Sequence, residues 1–315
     1  MRKCYIVILN YKRWEDTNAC MRSVFASSYT NFTLVVADNA SNNQSLEHIM
    51  ADLAENPVKK SGSNKIAGYV YMQEPLLSQV KPFDLPDLVF LQNNHNRGFG
   101  AGNNVALRLL QDEDAFVWLL NPDMVITEST LEHLVQAAEN APKTIIGSVT
   151  KSFYKQEQIL FYGGGKINYF FGTVSPVTTI DEIADIDYIS GGSMFIHMSQ
   201  LKIVGLLPEY YFLYWEETDW CYNALKKGSS LSVCLEAICY DKISTTIGRG
   251  FLSDYFYTRN GLLFLKKYKS VYLVSAMLSV IIRISIRILR GEMQRAKGMA
   301  RGVIDFLTGT RYENK

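Results

Sequence analysis

The 315-residue chain has almost no net charge, because 32 lysine and arginine residues nearly balance 31 aspartate and glutamate residues. A dedicated nucleic-acid-binding protein normally has a clear positive excess, so this balance argues against that class. Hydrophobic residues make up 48% and charged residues 20% of the chain, which excludes disordered, collagen-like and coiled-coil proteins. The length fits one large α/β domain or two smaller ones.

Cysteine is also scarce, since the five cysteines are odd in number and form no Cys-x-x-Cys pair. This usage is typical of a reducing compartment and indicates no zinc site. The apolar run at residues 4–9 is far too short for a secretory signal and leads directly into Asn10. We therefore expect a cytoplasmic protein.

The near-zero total conceals an uneven distribution of charge. Residues 266–315 contain 11 basic and three acidic residues, a local charge of +8, so residues 1–265 carry −7. A basic tail on an acidic body predicts a partner that attracts positive charge, and an anionic membrane surface is the first candidate.

Buried strands and intervening helices are predicted in the first half of the chain by apolar, β-branched runs that alternate with helical patterns. The predicted strands are residues 4–9, 32–37, 88–92 and 115–120, and the predicted helices are residues 14–26, 44–55, 99–111 and 129–139. Residues 56–86 look like an irregular insertion with one strand at residues 69–73. This alternation predicts right-handed crossovers and a doubly wound, mostly parallel sheet.

After Pro142 the pattern changes to strands with few helices. We predict strands at residues 145–149, 159–162, 188–197 and 231–238, and a helix at residues 216–227. This second half is therefore expected to be α+β and to complete the sheet.

Polar residues follow each of the four predicted core strands. They are Asn10 and Tyr11, Asp38 to Ser41, Asn93 to Arg97, and Asn121 to Asp123. Ligands of doubly wound sheets bind beyond the carboxyl ends of the strands, although such residues also simply end strands and cap helices. Asp123 could present oxygens to Mg²⁺ or Mn²⁺, or could cap the next helix.

The link from Arg97 to Asn104 is rich in glycine and resembles a dinucleotide-binding fingerprint. However, Asn103 occupies the third glycine position and the link follows the third strand, so a dehydrogenase is a poor interpretation. The glycines could let the backbone approach a phosphorylated ligand, or could serve a tight turn with close helix packing.

Three acids, Glu216, Glu217 and Asp219, lie among large apolar and aromatic residues at positions 213–220. A carboxylate surrounded by aromatic groups gains proton affinity and can act as a general base. The alternative is ordinary acidic decoration of a helix N-terminus.

In the tail, the apolar run at residues 271–282 is shorter than the roughly 20 residues needed to span a bilayer. Beyond it, Arg283, Arg287, Arg290, Lys297 and Arg301 fall on one stripe of a single long helix. We expect this basic amphipathic helix to lie in a membrane interface. The alternative is that it packs on the body or contacts a second copy of the chain.

Six motifs in this order resemble the inverting glycosyltransferases of family 2, which have the GT-A fold. The closest subgroup is the rhamnosyltransferase-like enzymes of bacterial surface-polysaccharide synthesis. The motifs are residues 8–11, 37–41, 96–104, 119–123, 191–196 and 205–228. The resemblance implies a transferase domain at residues 1–265, with a nucleotide-sugar-binding half (1–125), an acceptor and catalytic half (126–265), and the tail at residues 266–315.

The resemblance also implies a role for individual residues. The nucleotide-sugar-binding residues would be Leu9, Asn10, Tyr11, Asp38 (to the pyrimidine base), Arg97, Gly98, Asn103 and Asn121. Asp123 and Asp241 would bind Mg²⁺ or Mn²⁺, while Gly191, Gly192 and Trp215 would face the acceptor. Glu217 would be the catalytic base, with Glu216 and Asp219 as alternatives.

The implied reaction is a metal-assisted single displacement with inversion, from a nucleotide-diphosphate sugar to a hydroxyl of a glycan or lipid-linked acceptor. The enzyme would act at the inner face of the cell membrane. Three positions depart from the family pattern: Glu217 replaces aspartate, Asn223 a basic residue and Asp241 histidine. These departures keep open a catalytically idle nucleotide-sugar-binding module. A sugar nucleotidyltransferase is less favoured, because the loop after Asn10 has no glycine.

Overall fold

The computed structural model describes residues 1–74, 85–110, 114–242, 250–310 and 312. The strands in chain order are β1 (Cys4–Asn10), β2 (Phe32–Asp38), β3 (Tyr69–Gln73), β4 (Leu88–Gln92), β5 (Phe116–Leu120), β6 (Met124–Ile126), β7 (Thr144–Ser152), β8 (Ile159–Tyr162), β9 (Gly164–Asn168), β10 (Thr173–Pro176), β11 (Tyr188–Ile189), β12 (Ser193–His197) and β13 (Ser230–Asp241). The α-helices are α1 (Trp14–Phe25), α2 (Ser45–Glu55), α3 (Gly98–Leu110), α4 (Thr130–Glu139), α5 (Ser199–Val204), α6 (Glu216–Lys226), α7 (Phe251–Tyr268), α8 (Leu273–Leu289) and α9 (Met293–Thr308).

The large sheet has the strand order β3-β4-β2-β1-β5-β12-β7-β13-β6, with β8 paired to β7. Its first five strands are all parallel, as the alternating pattern predicted. Strand β12 then lies antiparallel between β5 and β7, and β13 runs parallel to β7 but antiparallel to β6. The sheet is therefore mostly parallel in its first half and mixed in its second, which confirms the predicted α/β class.

Both faces of the parallel half are covered by helices, which explains its continuous apolar strands. Along β1, Ile6 and Ile8 pack in the core that contains α1 and α2, whereas Val7 and Leu9 pack in the core that contains α3. Since side chains alternate between the faces of a strand, every residue of β1 is buried.

The second half departs from the predicted elements at several places. The predicted strand 188–197 is broken into β11 and β12, because the chain turns at Ser190–Gly192, where Ser193 N donates to the carbonyl of Ser190 at 3.2 Å. Strands β6, β9 and β10 and helices α5 and α7 were not predicted. Helix α7 also crosses the predicted division between residues 265 and 266.

The predicted single basic helix in the tail is wrong. Gly291, at φ +72°, separates α8 from α9. Helix α9 packs closely on α7, because Gly298 and Gly302 have no Cβ where the carbonyls of Phe251 and Tyr255 approach. The tail is thus partly docked on the body, as the alternative interpretation held.

Helix α8 presents its apolar side to solvent rather than its basic side. Val274 and Leu289 are 72% and 86% exposed, whereas Ala276 and Val280 are buried against the body. Arg283 continues this body-facing stripe, one turn after Val280. The prediction that the apolar run of the tail is too short to span a bilayer is also wrong. The helical segment Ser270–Leu289, with mean hydropathy 1.9, is long and apolar enough to cross a membrane by length and composition.

Candidate active site

A polar row forms where three parallel strands end side by side. Asn10 lies opposite Asp38 in register, and Asp38 lies opposite Gln92. Asn10 Nδ2 donates to Asp38 Oδ1 at 2.6 Å, and Gln92 Nε2 donates to Asp38 Oδ2 at 3.0 Å. The Ser41 backbone N–H adds a bond of 2.8 Å to Oδ2, and the Ser41 hydroxyl donates to Oδ1.

The buried Asp38 carboxylate therefore holds the strand-end loops together. Thr17 Oγ1 extends the network by donating to Asn10 Oδ1 at 2.7 Å, and the Lys12 backbone N–H donates to Ser41 Oγ at 2.8 Å. Because both carboxylate oxygens already accept two donors, Asp38 fixes the shape of this edge. Its contact with a nucleotide base stays a prediction.

The glycines of the Arg97 to Asn104 link serve close packing in this structure. Gly98, at φ +87°, lies against the backbone of Phe212, whose carbonyl accepts a 2.8 Å bond from Phe99 N. A Cβ on Gly102 would lie 2.8 Å from Leu9 Cδ2. The link thus ties the nucleotide half to the loop that precedes α6.

Other predicted nucleotide-binding residues have protein partners. The Arg97 guanidinium forms an ion pair of 2.6 Å with Glu74. The buried Asn103 donates from Nδ2 to the Phe99 carbonyl one turn earlier, at 3.0 Å. Tyr11 is half-buried, with the Lys12 ammonium 5.1 Å from its ring centroid. Their contacts with a ligand stay predictions.

The two predicted metal-binding aspartates come from adjacent chain segments. Asp241 lies opposite Met124 in the antiparallel pair of β13 and β6, next to Asp123. The backbone N–H of Lys242 donates to the Asp123 carbonyl at 3.1 Å. Lys242 Nζ also pairs with Asp16 at 3.1 Å, which places a positive charge nearby. Ile243 and Ser244, which complete the stretch compared with the family, lie outside the described residues.

Carboxylate oxygens are ligands that a hard divalent cation prefers, and binding of such a cation by these two aspartates stays a prediction. Mg²⁺ is commonly bound by one or two carboxylates together with water and substrate phosphates, so a pair of aspartates suffices. No group of three or more His, Cys, Asp or Glu residues able to hold a metal occurs in the described ranges. A metal bound here would therefore depend on the donor's diphosphate for its remaining ligands.

The start of α6 carries two acids with altered proton affinity. Burial raises the pKa of Glu217 to about 7. The pKa of Glu216 is raised well above its usual value by burial and by the charge of Glu217. Glu216 Oε2 is buried with no hydrogen-bond partner in the described part of the chain. The start of α6 therefore holds two carboxyl groups with raised proton affinity, which is typical of functional sites.

The loop before these acids has an unusual backbone. Phe212, Tyr214 and Trp215 adopt positive φ values of 69°, 64° and 77°, although none is glycine. The buried Asn260 of α7 holds this loop, because its Nδ2 lies 2.8 Å from the Tyr211 carbonyl and 2.7 Å from that of Leu213. Such conformations cost about 1–3 kcal/mol each and mark functional sites.

Asp219, on the same helix, has a different environment. It is buried and accepts hydrogen bonds from Tyr211 at 2.8 Å and Tyr268 at 2.7 Å, and from Tyr210 at 2.6 Å. Lys267 Nζ forms an ion pair with it at 3.0 Å. These four partners give Asp219 a structural role in joining α6 to α7.

The predicted acceptor-side glycines connect the acids to the strand ends. The Gly192 carbonyl accepts a 2.9 Å bond from Asn121 N, two residues before Asp123. A Cβ on Gly191 would lie 3.7 Å from Glu217 Cβ. The Ser190–Gly192 turn therefore lies between Glu217 and the segment that contains Asp123, and it contacts both. Trp215 is buried instead, and its Nε1 donates to the Tyr257 carbonyl at 3.1 Å.

The sequence interpretation missed Asn260. Its only signal is the polar pair Arg259-Asn260 inside an otherwise apolar and aromatic stretch. The pair is internally bonded, because Arg259 Nη1 donates to Asn260 Oδ1 at 2.9 Å. A polar pair buried in a helix indicates that the side chains have partners elsewhere in the fold.

Residues 72–175 match the family description "Glycosyl transferase family 2". A curated relative is the low-salt glycan biosynthesis hexosyltransferase Agl10 of Haloferax volcanii, 25% identical over 158 residues, or 47% of this chain. That alignment spans half of the length of Agl10.

Two solved structures resemble nearly the whole chain. S. aureus TarS 1-349 in complex with UDP-GlcNAc has a TM-score of 0.56 at 16% identity, covering 98% of this chain and 81% of TarS 1-349. Mannosyltransferase PcManGT from Pyrobaculum calidifontis, in complex with GDP-Man and Mn²⁺, has a TM-score of 0.57 at 10% identity, covering 98% of this chain and 88% of PcManGT. These likenesses show a GT-A-type fold. The family match and the hexosyltransferase relative support a glycosyltransferase.

Proposed function

We propose that this protein is a family 2 glycosyltransferase that moves a hexosyl group from a nucleotide-diphosphate sugar to an acceptor hydroxyl with inversion. One observation carries the proposal. Glu217, with a pKa raised to about 7, lies beside Gly191, and the adjacent Gly192 is bonded to the Asn121-Pro122-Asp123 segment at the end of β5. A base is thus held close to the strand ends where the donor's diphosphate would bind.

In the proposed reaction, Glu217 accepts the proton of the acceptor hydroxyl. The acceptor oxygen attacks the anomeric carbon while the bond from that carbon to the diphosphate oxygen breaks on the opposite face. The electron pair leaves with the nucleoside diphosphate, so inversion takes one step and needs no covalent sugar–enzyme intermediate. A base with a pKa near the working pH is well suited to this transfer.

The strand-end residues would bind the donor. Asn10, Asp38 and Asn121 form the rigid edge on which the nucleotide would lie, and Asp123 and Asp241 would hold Mg²⁺ or Mn²⁺. When bound, such an ion supplies positive charge that offsets the charge developing on the departing diphosphate. The pKa of Glu216 is also raised by burial, which favours its protonated form and keeps the local negative charge low.

The proposed acceptor is a glycan or lipid-linked glycan of the cell surface, reached by peripheral attachment to the inner face of the membrane. The exposed apolar side of α8 supports this location, since Leu278, Ile281 and Ile282 are each more than half exposed. The rhamnosyltransferase-like resemblance is the basis for the surface-polysaccharide role.

The test begins with thermal-shift screening of nucleotide sugars with and without Mn²⁺, because a true donor stabilises the folded state by mass action. Transfer is then measured with that donor for the wild type, Asp123→Ala and Glu217→Gln. Full activity in both variants would refute the assigned roles. Donor binding without turnover across an acceptor panel would favour the idle binding module. Pyrophosphate release from a sugar phosphate and a nucleoside triphosphate would favour the nucleotidyltransferase.

A further inference from the structure

A cleft of about 570 Å³ lies between α7, α8 and α9, outside the strand-end site. Arginine is its most frequent lining residue, contributed by α8, by the turn after it and by α9. The four arginines are Arg283, Arg287, Arg290 and Arg295. No motif of the sequence indicated this cleft, because three of its arginines, Arg283, Arg287 and Arg290, had been placed on a membrane-facing stripe.

The arginines outnumber the acids that neutralise them. Arg295 Nε pairs with Asp254 at 2.7 Å, and Arg287 pairs with Glu292. Within the described residues, Arg283 and Arg290 have no ion pair, and Arg283 Nε is buried without a hydrogen-bond partner. Four guanidinium groups thus share two carboxylates, which leaves an excess of two positive charges facing the cleft.

This excess matches one phosphate or diphosphate group. A phosphomonoester carries a charge of about −1.5 to −2 at neutral pH, and guanidinium groups bind its oxygens in pairs. Asp254 and Glu292 hold Arg287 and Arg295 in place, so part of the ordering needed for anion binding is already present in the fold.

The cleft adjoins the proposed catalytic loop. Tyr214, which lines the cleft, lies two residues before Glu216 and has a positive φ. Tyr257, also in the lining, accepts a bond at its carbonyl from Trp215 Nε1. The two tyrosine rings have centroids 6.3 Å apart and form the wall between cleft and loop. The cleft therefore lies beside the loop that leads into Glu216 and Glu217.

The other side of the cleft leads to an apolar surface. Arg283, Ile286 and Arg287 of α8 line the cleft, while Val274, Leu278 and Ile281 of the same helix are exposed. An anionic head in the cleft could thus continue into a hydrocarbon chain along α8. This arrangement of charge beside apolar surface fits an amphiphile better than a free anion.

We propose that the cleft binds the phosphate or diphosphate of a lipid-linked acceptor and so presents the acceptor's sugar to Glu217. This inference rests on the proposed function only in identifying the bound lipid as the acceptor. The binding site itself is a lipid-phosphate site whose existence does not depend on turnover.

The experiment measures binding without donor or transfer. Full-length wild type, Arg283→Gln/Arg290→Gln and the surface control Lys202→Gln are titrated with inorganic pyrophosphate by calorimetry. The same proteins are sedimented with three kinds of vesicle: phosphatidylcholine alone, phosphatidylcholine with polyprenyl phosphate, and phosphatidylcholine with phosphatidylglycerol at matched surface charge. Thermal unfolding of each variant checks folding.

We expect the double variant to bind pyrophosphate and polyprenyl phosphate vesicles at least tenfold more weakly, while the Lys202→Gln control binds as the wild type does. Binding to phosphatidylglycerol vesicles should fall much less. Equal losses on both anionic vesicles would overturn the proposal in favour of a general anionic-surface contact. Unchanged binding of pyrophosphate and of polyprenyl phosphate vesicles would refute the site.

A second variant guards against misfolding. Arg290 is exposed at the end of α8 and makes no ion pair among the described residues, so Arg290→Glu should fold. We expect Arg290→Glu to abolish the preference for polyprenyl phosphate, and a retained preference would contradict the proposal. Absence of transfer by a wild type that still binds polyprenyl phosphate would count against the proposed function alone.

Discussion

Two regions of this molecule differ in how many hydrogen-bond partners their carboxylates have. Asp38, at the end of β2, accepts hydrogen bonds from Asn10, Ser41 and Gln92 and is nearly inaccessible. At the start of α6, Glu216 is buried and Glu217 is half-buried, and loss of water contact raises the pKa of both. One region holds negative charge in a rigid network, while the other makes negative charge costly.

The difference indicates that the two regions have different roles in the site. A carboxylate whose oxygens all accept hydrogen bonds stabilises the fold and fixes the strand-end surface. A buried carboxylate without such partners disfavours its ionised form and gains proton affinity, which a general base requires. Asp219 lies on α6 with Glu217 yet binds three tyrosines and Lys267, so position on one helix does not decide the environment of an acid.

The largest expected effect is on the rate of transfer. Glu217→Gln keeps the size of the side chain but removes the proton acceptor, so we expect a loss of about 10²–10⁴-fold in kcat. Steady-state transfer with the verified donor measures it. The exposed Glu157→Gln serves as the control and should retain wild-type activity. If kcat of the Glu217→Gln enzyme lies within threefold of the wild-type value, Glu217 is not the general base.

Asp38→Ala should show the opposite signature. It leaves the buried donors of Asn10, Ser41 and Gln92 without their acceptor, so the free energy of unfolding should fall by about 3 kcal/mol. Urea unfolding measures this change. Asp52→Ala removes a carboxylate paired with Arg22 near the surface and should cost less than about 1 kcal/mol. Equal costs for the two substitutions would contradict a structural role for Asp38.

Asn260→Ala should weaken catalysis through the loop that precedes α6. Without the Asn260 amide, the carbonyls of Tyr211 and Leu213 lose a buried donor and the positive-φ loop can relax. We expect kcat to fall about tenfold and the pH at which activity rises to move lower, as Glu217 becomes more hydrated. The exposed Asn168→Ala is the control. An unchanged pH profile would limit Asn260 to a structural role.

The smallest expected effect is on stability against pH. The folded pKa of Glu217, about 7, lies above its usual value of 4.5, so the folded state holds a proton that the unfolded state has already lost between these values. The free energy of unfolding should therefore decrease as pH rises from about 4.5 to 7. Denaturant unfolding across this range should show a shallower decrease for Glu217→Gln. An identical decrease in the variant would assign the proton elsewhere.

The parallel half of the fold could be predicted closely from the sequence. Strand β1 and helix α1 each differ from prediction by one residue at one end, because buried β-branched runs and amphipathic helices have distinct periods. Helix α7 escaped prediction because it is buried nearly all round, from Tyr255 to Leu265, and so lacks a polar face. The tail was mispredicted because a repeat of arginines does not reveal that Gly291 interrupts the helix.

The residues of the candidate site could be predicted from the sequence, but their surroundings could not. The strand-end residues were identified because strands of a parallel sheet deliver their carboxyl ends to one edge, and the acids because they stand among large apolar and aromatic residues. Their surroundings depend on contacts between distant residues, such as the amide of Asn260 on the loop at residues 211–215 or the backbone of Phe212 against Gly98. No local pattern encodes these contacts. The arginine cleft likewise exists only once α7, α8 and α9 are packed together.

The most direct test of the central claim is the pH dependence of kcat/KM for transfer, measured for the wild type and for Glu217→Gln. The account predicts that wild-type kcat/KM rises with pH to a plateau, with an apparent pKa of about 7 that belongs to Glu217. The residual activity of Glu217→Gln should lack this rise. A wild-type profile that is flat between pH 5 and 8, or a variant that keeps the same rise, would contradict it.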